Sequence, residues 1–366
     1  MPNQTERRKS NHIRISLEKN VQAQHTTPGF EEVSLVHRAL PEIGKEKIDL
    51  SVRVLNHDFS APIIVEAMTG GTDEAIKINA NIAQAVENLH LGMGVGSQRA
   101  AIENPELERA YTIAREKAPT AFLVANVGAP QLVKGYGVKE AERAIEMIHA
   151  DALAIHLNPL QEAVQPEGET NYGGVLRKIG EIAQALTVPV IVKETGAGVS
   201  SEVAKMLEGT GISGIDVAGA GGTSWAAVEY HRAEQVQDEF LQRLGKTFWD
   251  WGIPTAVSVV EVAQSVRLTL IASGGVRSGT DVAKALALGA DLAGTASPIL
   301  LPATKGPEEV QKTLHFMIEE LRNTMFLVGA ESIDKLKGVP VVIMGKMAEW
   351  LRARGFQPEF YARRKV

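Results

Sequence analysis

Residues 268–297 read "LTLIASGGVRSGTDVAKALALGADLAGTAS". An apolar run reaches a glycine pair at Gly274–Gly275, and "SGTD" at 278–281 then has the spacing of a capping box. "VAKALAL" follows as a helix, Gly289 closes it, and "LAGTA" at 292–296 resumes an apolar run. Strand, helix and strand in thirty residues read as a parallel crossover. Both runs are continuously apolar rather than alternating, which predicts strands covered on both faces.

The same unit recurs along the chain. Further apolar runs are "APIIVEAM" (61–68), "LGMGVG" (91–96), "AFLVANVG" (121–128), "ALAIHLN" (152–158), "PVIVKETG" (189–196) and "GIDVAGAGG" (214–222). Ile78, Ile82, Val86 and Leu89 form a one-sided stripe over 74–89, and Val175, Ile179, Ile182 and Leu186 repeat it over 175–186. Asn104–Pro105 offers an N-cap followed by proline at the first helical position. Eight strand–helix units predict an α/β chain folded as a (β/α)8 TIM barrel with an N-terminal extension and C-terminal helices. A doubly wound open sheet is the alternative, but no Gly-x-Gly-x-x-Gly follows the first strand. Three parts are expected: a polar extension at 1–60, the barrel at 61–305, and packing helices at 306–366. The barrel carries an insertion at 224–254 between strand 6 and its helix, and a loop that long is a candidate lid or interface. Met317, Leu321 and Met325 sit at helical spacing and read as core.

Of the 366 residues 44% are hydrophobic, enough for a large core without covalent staples. The absence of cysteine excludes disulfides, thiolate metal sites and a cysteine nucleophile. A net charge of −6 argues against nucleic acid as the main partner, which usually demands a basic footprint. No apolar stretch approaches the ~20 residues of a membrane span. No apolar region follows Arg8–Lys9, so neither a secretory nor a twin-arginine signal is expected and a cytoplasmic location is the expectation.

In a barrel the active site lies at the carboxyl ends of the strands. Those ends carry Met68–Thr69, Ser97–Gln98–Arg99, Asn126, His156–Asn158, Lys193–Glu194–Thr195, Gly219 to Thr223, Ser273 to Arg277, and Thr295 to Ser297. One such coincidence could be a helix cap; a ring of them reads as a site. "SGGVRSG" after strand 7 and "GTAS" after strand 8 suit a phosphate, because glycines let backbone N–H groups approach an anion. They do not say whether it belongs to a sugar, a nucleotide or a flavin. Lys193 ends a buried run, so it must pair or meet a ligand. A Schiff-base nucleophile, a cation at a flavin edge and a snorkelling rim lysine all remain open. "RRKSNH" at 7–12 reads alone as a solvated tail, but its cations suit a diphosphate. "IHLNPLQE" at 155–162 sets His156, Asn158, Gln161 and Glu162 at the mouth of strand 4. A lone carboxylate beside an amide and an imidazole fits Mg2+ bridged to phosphate better than an all-protein zinc site.

Taken in order, "RRKSNH", "EAMTGG", "SQR", "HLNPLQE", "VKETG", "AGAGGTSW", "SGGVRSG" and "TAS" resemble the type 2 isopentenyl diphosphate isomerases over about residues 7–300. The resemblance implies an FMN-dependent barrel enzyme that interconverts isopentenyl and dimethylallyl diphosphate with no net redox change. It implies that Ala67, Met68, Thr69, Ser97, Asn126, Lys193 and Thr223 contact the flavin. Gly275, Val276, Arg277, Ala296 and Ser297 would hold its phosphate. Arg8, Lys9, His12, Ser97, Gln98, Arg99, His156, Asn158 and Gln161 would bind substrate, and Glu162 would ligate Mg2+. His156 and Gln161 would be the catalytic side chains, with the flavin N5 region moving the proton. NADPH or NADH would keep the FMN reduced, and the protein would be a tetramer or octamer. The competing reading is an FMN oxidase of the 2-hydroxy acid type, but the ends of strands 6 and 7 offer no histidine base.

Overall fold

The computed structural model describes residues 4–364, with side chains of the N-terminal helix described from Arg8 onward. Eight parallel strands run in chain order as β1 (Ile63–Val65), β2 (Gly92–Gly94), β3 (Phe122–Gly128), β4 (Ala152–His156), β5 (Val190–Lys193), β6 (Gly214–Asp216), β7 (Thr269–Ala272) and β8 (Leu292–Thr295). They close into a barrel, with Gly294 of β8 in register with Ile64 of β1. All eight lie inside the apolar runs of the sequence. Every residue of β1, β2, β3, β5, β6 and β8 is buried, the covering on both faces that continuous apolar runs require.

Local chemistry sets the helix ends. Thr72 caps the helix Asp73–Leu89 by accepting from the Ala75 amide at 3.2 Å. Ser278 and Asp281 make the expected capping box, each accepting from the other's backbone N–H at 3.1 Å, and Gly289 ends that helix at φ 124°. Asn104 behaves differently from expectation. Its Oδ1 accepts from the Glu106 amide, but Pro105 opens a single 3-10 turn and the helix proper starts at Arg109. One cap satisfies one amide, too little to launch a helix without packing behind it.

The insertion at 224–254 folds as two helices, Trp225–Gln235 and Glu239–Thr247, capped by the Ser224 and Asp238 side chains. Helix Pro307–Val328 buries Met317, Leu321 and Met325, as their spacing predicts. Strand Val341–Ile343 pairs antiparallel with Val33–Leu35, tying the two ends of the chain together. Among the described residues no helix is long and apolar enough to cross a membrane.

The polar start of the chain covers both barrel openings. A hairpin, Val52–Val54 with His57–Phe59, sets Phe59 against Phe122 at 5.3 Å between ring centroids. Phe122 begins β3 and Gly92 begins β2, where a Cβ would stand 3.0 Å from Phe59, so the hairpin stoppers the amino-terminal end. At the other end, the Ala23 N–H donates to Gly222 O and the Ala256 N–H to Pro28 O, at 2.9 and 2.8 Å. A Cβ on Gly221, at φ 105°, would lie 2.0 Å from Pro28 N, so only glycine lets this segment thread past the loop.

Phe59 is 1% exposed and belongs to the cluster that fills the barrel interior. Phe59→Ala is expected to lower unfolding free energy by about 3–5 kcal/mol in urea titrations, as for other buried aromatics. A loss below about 1 kcal/mol would mean the hairpin is not part of the core.

Candidate active site

The barrel's inner surface explains which side chains meet at its mouth. Inward-facing residues alternate along each strand. The interior cluster contains Ile64, Phe122, Val124, Ala152, Ala154, Ile191, Ile271 and Leu292. Two residues further along each strand, the same faces carry Glu66, Asn126, His156, Lys193, Ser273 and Gly294, with Asp216 ending β6. The apolar fill therefore gives way, within one pleat, to a layer of polar groups. Gly294 makes room for it: a Cβ there would stand 2.1 Å from Glu66 Oε1 and 2.8 Å from Ser273 Cβ.

Lys193 anchors this layer. Its Nζ lies 3.1 Å from Asp216 Oδ2 and 3.4 Å from Glu66 Oε2, and it donates to Glu194 O at 3.0 Å. The Ser273 hydroxyl completes the group by donating to Asp216 Oδ1 at 2.6 Å. Burial alone would push the ammonium down, but Asp216 and Glu66 outweigh it and hold its pKa above the ordinary lysine value. A cation held this way is not the neutral amine that a Schiff-base nucleophile requires, so that reading of Lys193 is set aside. Burial, with Asp216 next, raises Glu66 well above the carboxylate range against the pull of Lys193. The neighbouring Glu194 turns the other way, accepting from the Thr195, Gly196 and Ala197 amides.

His156 is neutral. Asn126 Nδ2 donates to Val95 O, so its Oδ1 faces His156 Nδ1 at 2.7 Å and fixes the proton on Nδ1. Burial, followed by the charges of Lys193, Lys9 and Arg8, lowers its pKa to about 3. The imidazole is thus a positioned neutral group and a weak base.

Above this floor lies a cavity of about 270 Å³, roofed by the N-terminal helix Gln4–Glu18. Lys9 Nζ donates to Ser97 O and to the Tyr111 hydroxyl, both at 2.7 Å, and Tyr111 also donates to Ser97 O. Burial, then the nearby Arg8 and Arg99, lowers its pKa to about 7. His12 Nε2 meets Glu229 Oε1 at 3.0 Å, and Gln161 Nε2 donates to the same oxygen at 3.3 Å. Arg232 binds Glu229 and Glu167 behind them. The T-shaped contact of His12 with Trp225, at 5.2 Å, completes the join between roof and insertion.

Glu162 is buried in the wall. Asn158 Nδ2 donates to its Oε1 at 2.7 Å, while Gln165 Nε2 and the Glu169 amide donate to Oε2 at 2.5 and 2.7 Å. All three donors are neutral, and Glu162 makes no ion pair among the described residues. Such a carboxylate fits a cation brought in with a ligand. No three His, Asp or Glu side chains gather into an all-protein metal cage among the described residues.

At the opposite end, Gly275, Val276, Arg277, Ala296 and Ser297 line the cavity together with Thr223. Gly274 and Gly275 take φ of 97° and 73°, and a Cβ on Gly222 would stand 2.4 Å from Gly275 N. Main chain, rather than side chains, forms this wall, beside the start of the helix Ser297–Lys305. That is the surface a phosphate group needs, so these residues fit the terminal phosphate of a mononucleotide. Arg277 hydrogen-bonds Gln22 Oε1, and Gln22 reaches Ser297 Oγ at 3.5 Å.

Of the residues singled out from sequence, Arg8, Lys9, His12, Ala67, Met68, Thr69, Ser97, Arg99, Asn126, His156, Asn158, Gln161, Glu162 and Lys193 line the one cavity with the phosphate-side group. Gln98 does not. Its side chain is fully buried behind β3, donating to Ala144 O at 2.8 Å and accepting from the Asn126 amide at 2.8 Å. Its expected contact with substrate is corrected to a structural role, because the turn sends Ser97 and Arg99 one way and Gln98 the other. Sequence reading passed over Glu66, Asp216, Glu229 and Gln165. A charged residue inside the apolar runs "APIIVEAM" and "GIDVAG" was the available signal for the first two. Glu229 and Gln165 carried none.

Because Lys9 titrates near 7, its charge fades as pH rises through neutrality. Affinity for inorganic pyrophosphate should therefore fall, relative to the Lys9→Arg variant, by up to about tenfold per pH unit above that value. Calorimetric titrations of both proteins measure it, and parallel pH profiles would show that Lys9 keeps its charge.

The chain can now be set beside known proteins. The FMN-dependent dehydrogenase pattern matches residues 156–341. Among solved structures, a lactate oxidase from Pediococcus acidilactici aligns over 92% of this chain and 94% of its own, with a TM-score of 0.65 and 16% identity. A flavocytochrome b2 variant with pyruvate bound aligns over 90% and 82%, with a TM-score of 0.65 and 17% identity. Both show a shared barrel and nothing finer. Sequence relatives say more. The isopentenyl-diphosphate delta-isomerase of Methanothermobacter thermautotrophicus is 52% identical over 98% of this chain and 99% of its own. The Pyrococcus furiosus protein of the same name is 53% identical over 98% and 91%. Matched at this level from the roof helix to the C-terminal helices, the chain belongs to the isopentenyl-diphosphate delta-isomerase family.

Proposed function

We propose that this protein interconverts isopentenyl diphosphate and dimethylallyl diphosphate by an allylic proton shift, using reduced FMN and Mg2+. One observation carries the reading beyond family membership. A single cavity is lined at one end by the glycine turn after β7 with Ala296 and Ser297, and at the other by the cations Arg8, Lys9 and Arg99. A flavin phosphate and a substrate diphosphate would occupy the two ends. Glu162, buried with no cation paired to it among the described residues, is suited to hold Mg2+ against the diphosphate.

Each neighbouring group then has a task. Lys9 and the guanidinium groups bind and orient the diphosphate. Trp225 and the roof helix exclude water from the chamber. His156 and Gln161, fixed through Asn126 and Glu229, position the hydrocarbon end of the substrate. Lys193 would remain a cation facing the flavin. The reduced flavin, when bound, would supply the proton-transfer chemistry that no side-chain acid–base pair here offers. NADPH or NADH would serve only to keep it reduced.

The hydroxy-acid oxidase alternative shares the barrel but lacks support at the site. It needs a base to take the substrate's hydroxyl proton, and the one histidine in the polar layer is depressed to about 3.

Isopentenyl diphosphate should convert with Mg2+ and substoichiometric reductant, and stoichiometric consumption of NAD(P)H or oxygen would favour the oxidase. Glu162→Gln should keep its FMN, since the flavin side rests on other strands. It should lose turnover by about 100-fold or more at fixed Mg2+, because several kcal/mol of charge neutralisation goes with the metal. Normal turnover at the same Mg2+ concentration would remove Glu162 from the metal site.

A further inference from the structure

Gln165 follows the short helix Pro159–Val164 and is 5% exposed in the cavity wall. Its Nε2 donates to Glu162 Oε2 at 2.5 Å. A carboxylate oxygen demands a donor, so this orientation of the amide is dictated. The cost appears on the other side: Gln165 Oε1 is buried with no hydrogen-bond partner among the described residues. A buried carbonyl left unpaired loses its hydration without a protein partner in return. The amide is therefore held in one orientation by Glu162 while its own acceptor goes unsatisfied.

Turning the amide over would reverse the situation. Oε1 would then face Glu162 Oε2, two oxygens in contact, which is unfavourable unless a cation lies between them. In octahedral Mg2+ sites adjacent ligand oxygens, each about 2.1 Å from the metal, stand roughly 3 Å apart. The two side chains, 2.5 Å apart at Nε2 and Oε2, would have to part by about half an ångström to reach it.

We propose that Gln165 is a second oxygen donor of the cation site at Glu162, its amide turning over when the cation arrives so that Oε1 faces the metal. The inference rests on the reading that Glu162 holds a divalent cation, and it extends that reading to a residue outside the "HLNPLQE" motif. It gives the stranded acceptor a partner in the loaded state.

The test is Mn2+ binding to the FMN-loaded protein with inorganic pyrophosphate, followed by the electron paramagnetic resonance of free Mn2+. Four proteins are compared: wild type, Gln165→Leu, Gln165→Glu and Glu162→Gln. Gln165→Leu should weaken Mn2+ about tenfold or more with flavin content unchanged, within the range seen when metal-site supports are removed. Gln165→Glu, which keeps oxygen at the position, should bind Mn2+ at least as tightly as wild type. If Gln165→Leu binds Mn2+ normally while Glu162→Gln does not, the metal reading stands and Gln165 has no part in it. If Glu162→Gln also binds normally, the metal lies elsewhere and both readings fall. Equal losses in Gln165→Leu and Gln165→Glu, with FMN retained, would reduce Gln165 to packing and overturn the proposal. Should Gln165→Leu lose its flavin, Gln165→Glu decides: retained Mn2+ affinity supports the oxygen-donor role, and lost affinity with FMN bound refutes it.

Discussion

Lys193 stands between Asp216 and Glu66 in a space where none of the three could be charged alone. The contact joins the ends of β1, β5 and β6, and Ser273 extends it to β7. Two carboxylates and one ammonium leave an excess of negative charge. Burial and the proximity of Asp216 resolve it by raising Glu66, which keeps its proton into a range where ordinary carboxylates have lost theirs. The stability contributed by that proton is complete below the ordinary carboxylate pKa and drains as pH rises through the raised value. A charge-balanced floor is what allows an apolar barrel to end in a polar layer without unfolding its own mouth.

The roof above the floor is added by segments outside the regular barrel. The N-terminal helix brings Lys9 and His12; the insertion after β6 brings Trp225 and Glu229. These two pieces meet each other as well as the barrel, through His12–Glu229 and the bridge from Gln22 to Thr223. The cavity is therefore a chamber with a barrel floor and a two-part roof. One barrel fold can carry different chemistries, which is why the likeness to a lactate oxidase and a flavocytochrome b2 at 16% and 17% identity speaks only to the fold.

How much of this was legible in the sequence divides along the same line. The eight strands announced themselves because both faces are buried and the runs stay mostly apolar up to their carboxyl ends. The glycines after β7 and β8 pointed to a phosphate because main-chain approach leaves a compositional mark. His156, Asn158, Gln161 and Glu162 stood out because polar residues end an apolar run. Glu66 and Asp216 were equally visible but read as strand interior; the alternation Ile64–Glu66 and Ile271–Ser273 shows that the inward register carries straight into the site. Gln98 misled because a polar residue at a strand end was assumed to face the ligand, whereas the turn buries it against Ala144. The fold of residues 4–60 was not legible: polar side chains such as Lys9 and His12 line the cavity, and its few apolar residues meet distant parts of the chain. Glu229 and Gln165 owe their importance to partners 68 and 3 residues away, and no spacing encodes that.

The claim that the floor is a charge-balanced unit can be measured directly with a double-mutant cycle. Wild type, Lys193→Met, Glu66→Gln and the double variant are unfolded in urea at a pH above the raised Glu66 value of about 8, where both carboxylates are ionised, and the free energies compared. Removing the cation alone leaves two buried carboxylates facing each other and should cost about 3–5 kcal/mol. With Glu66→Gln already present, the same removal should cost less by at least about 1 kcal/mol, since the residues are coupled. Strictly additive losses would contradict the account, because they would mean that Lys193 and Glu66 do not sense one another's charge.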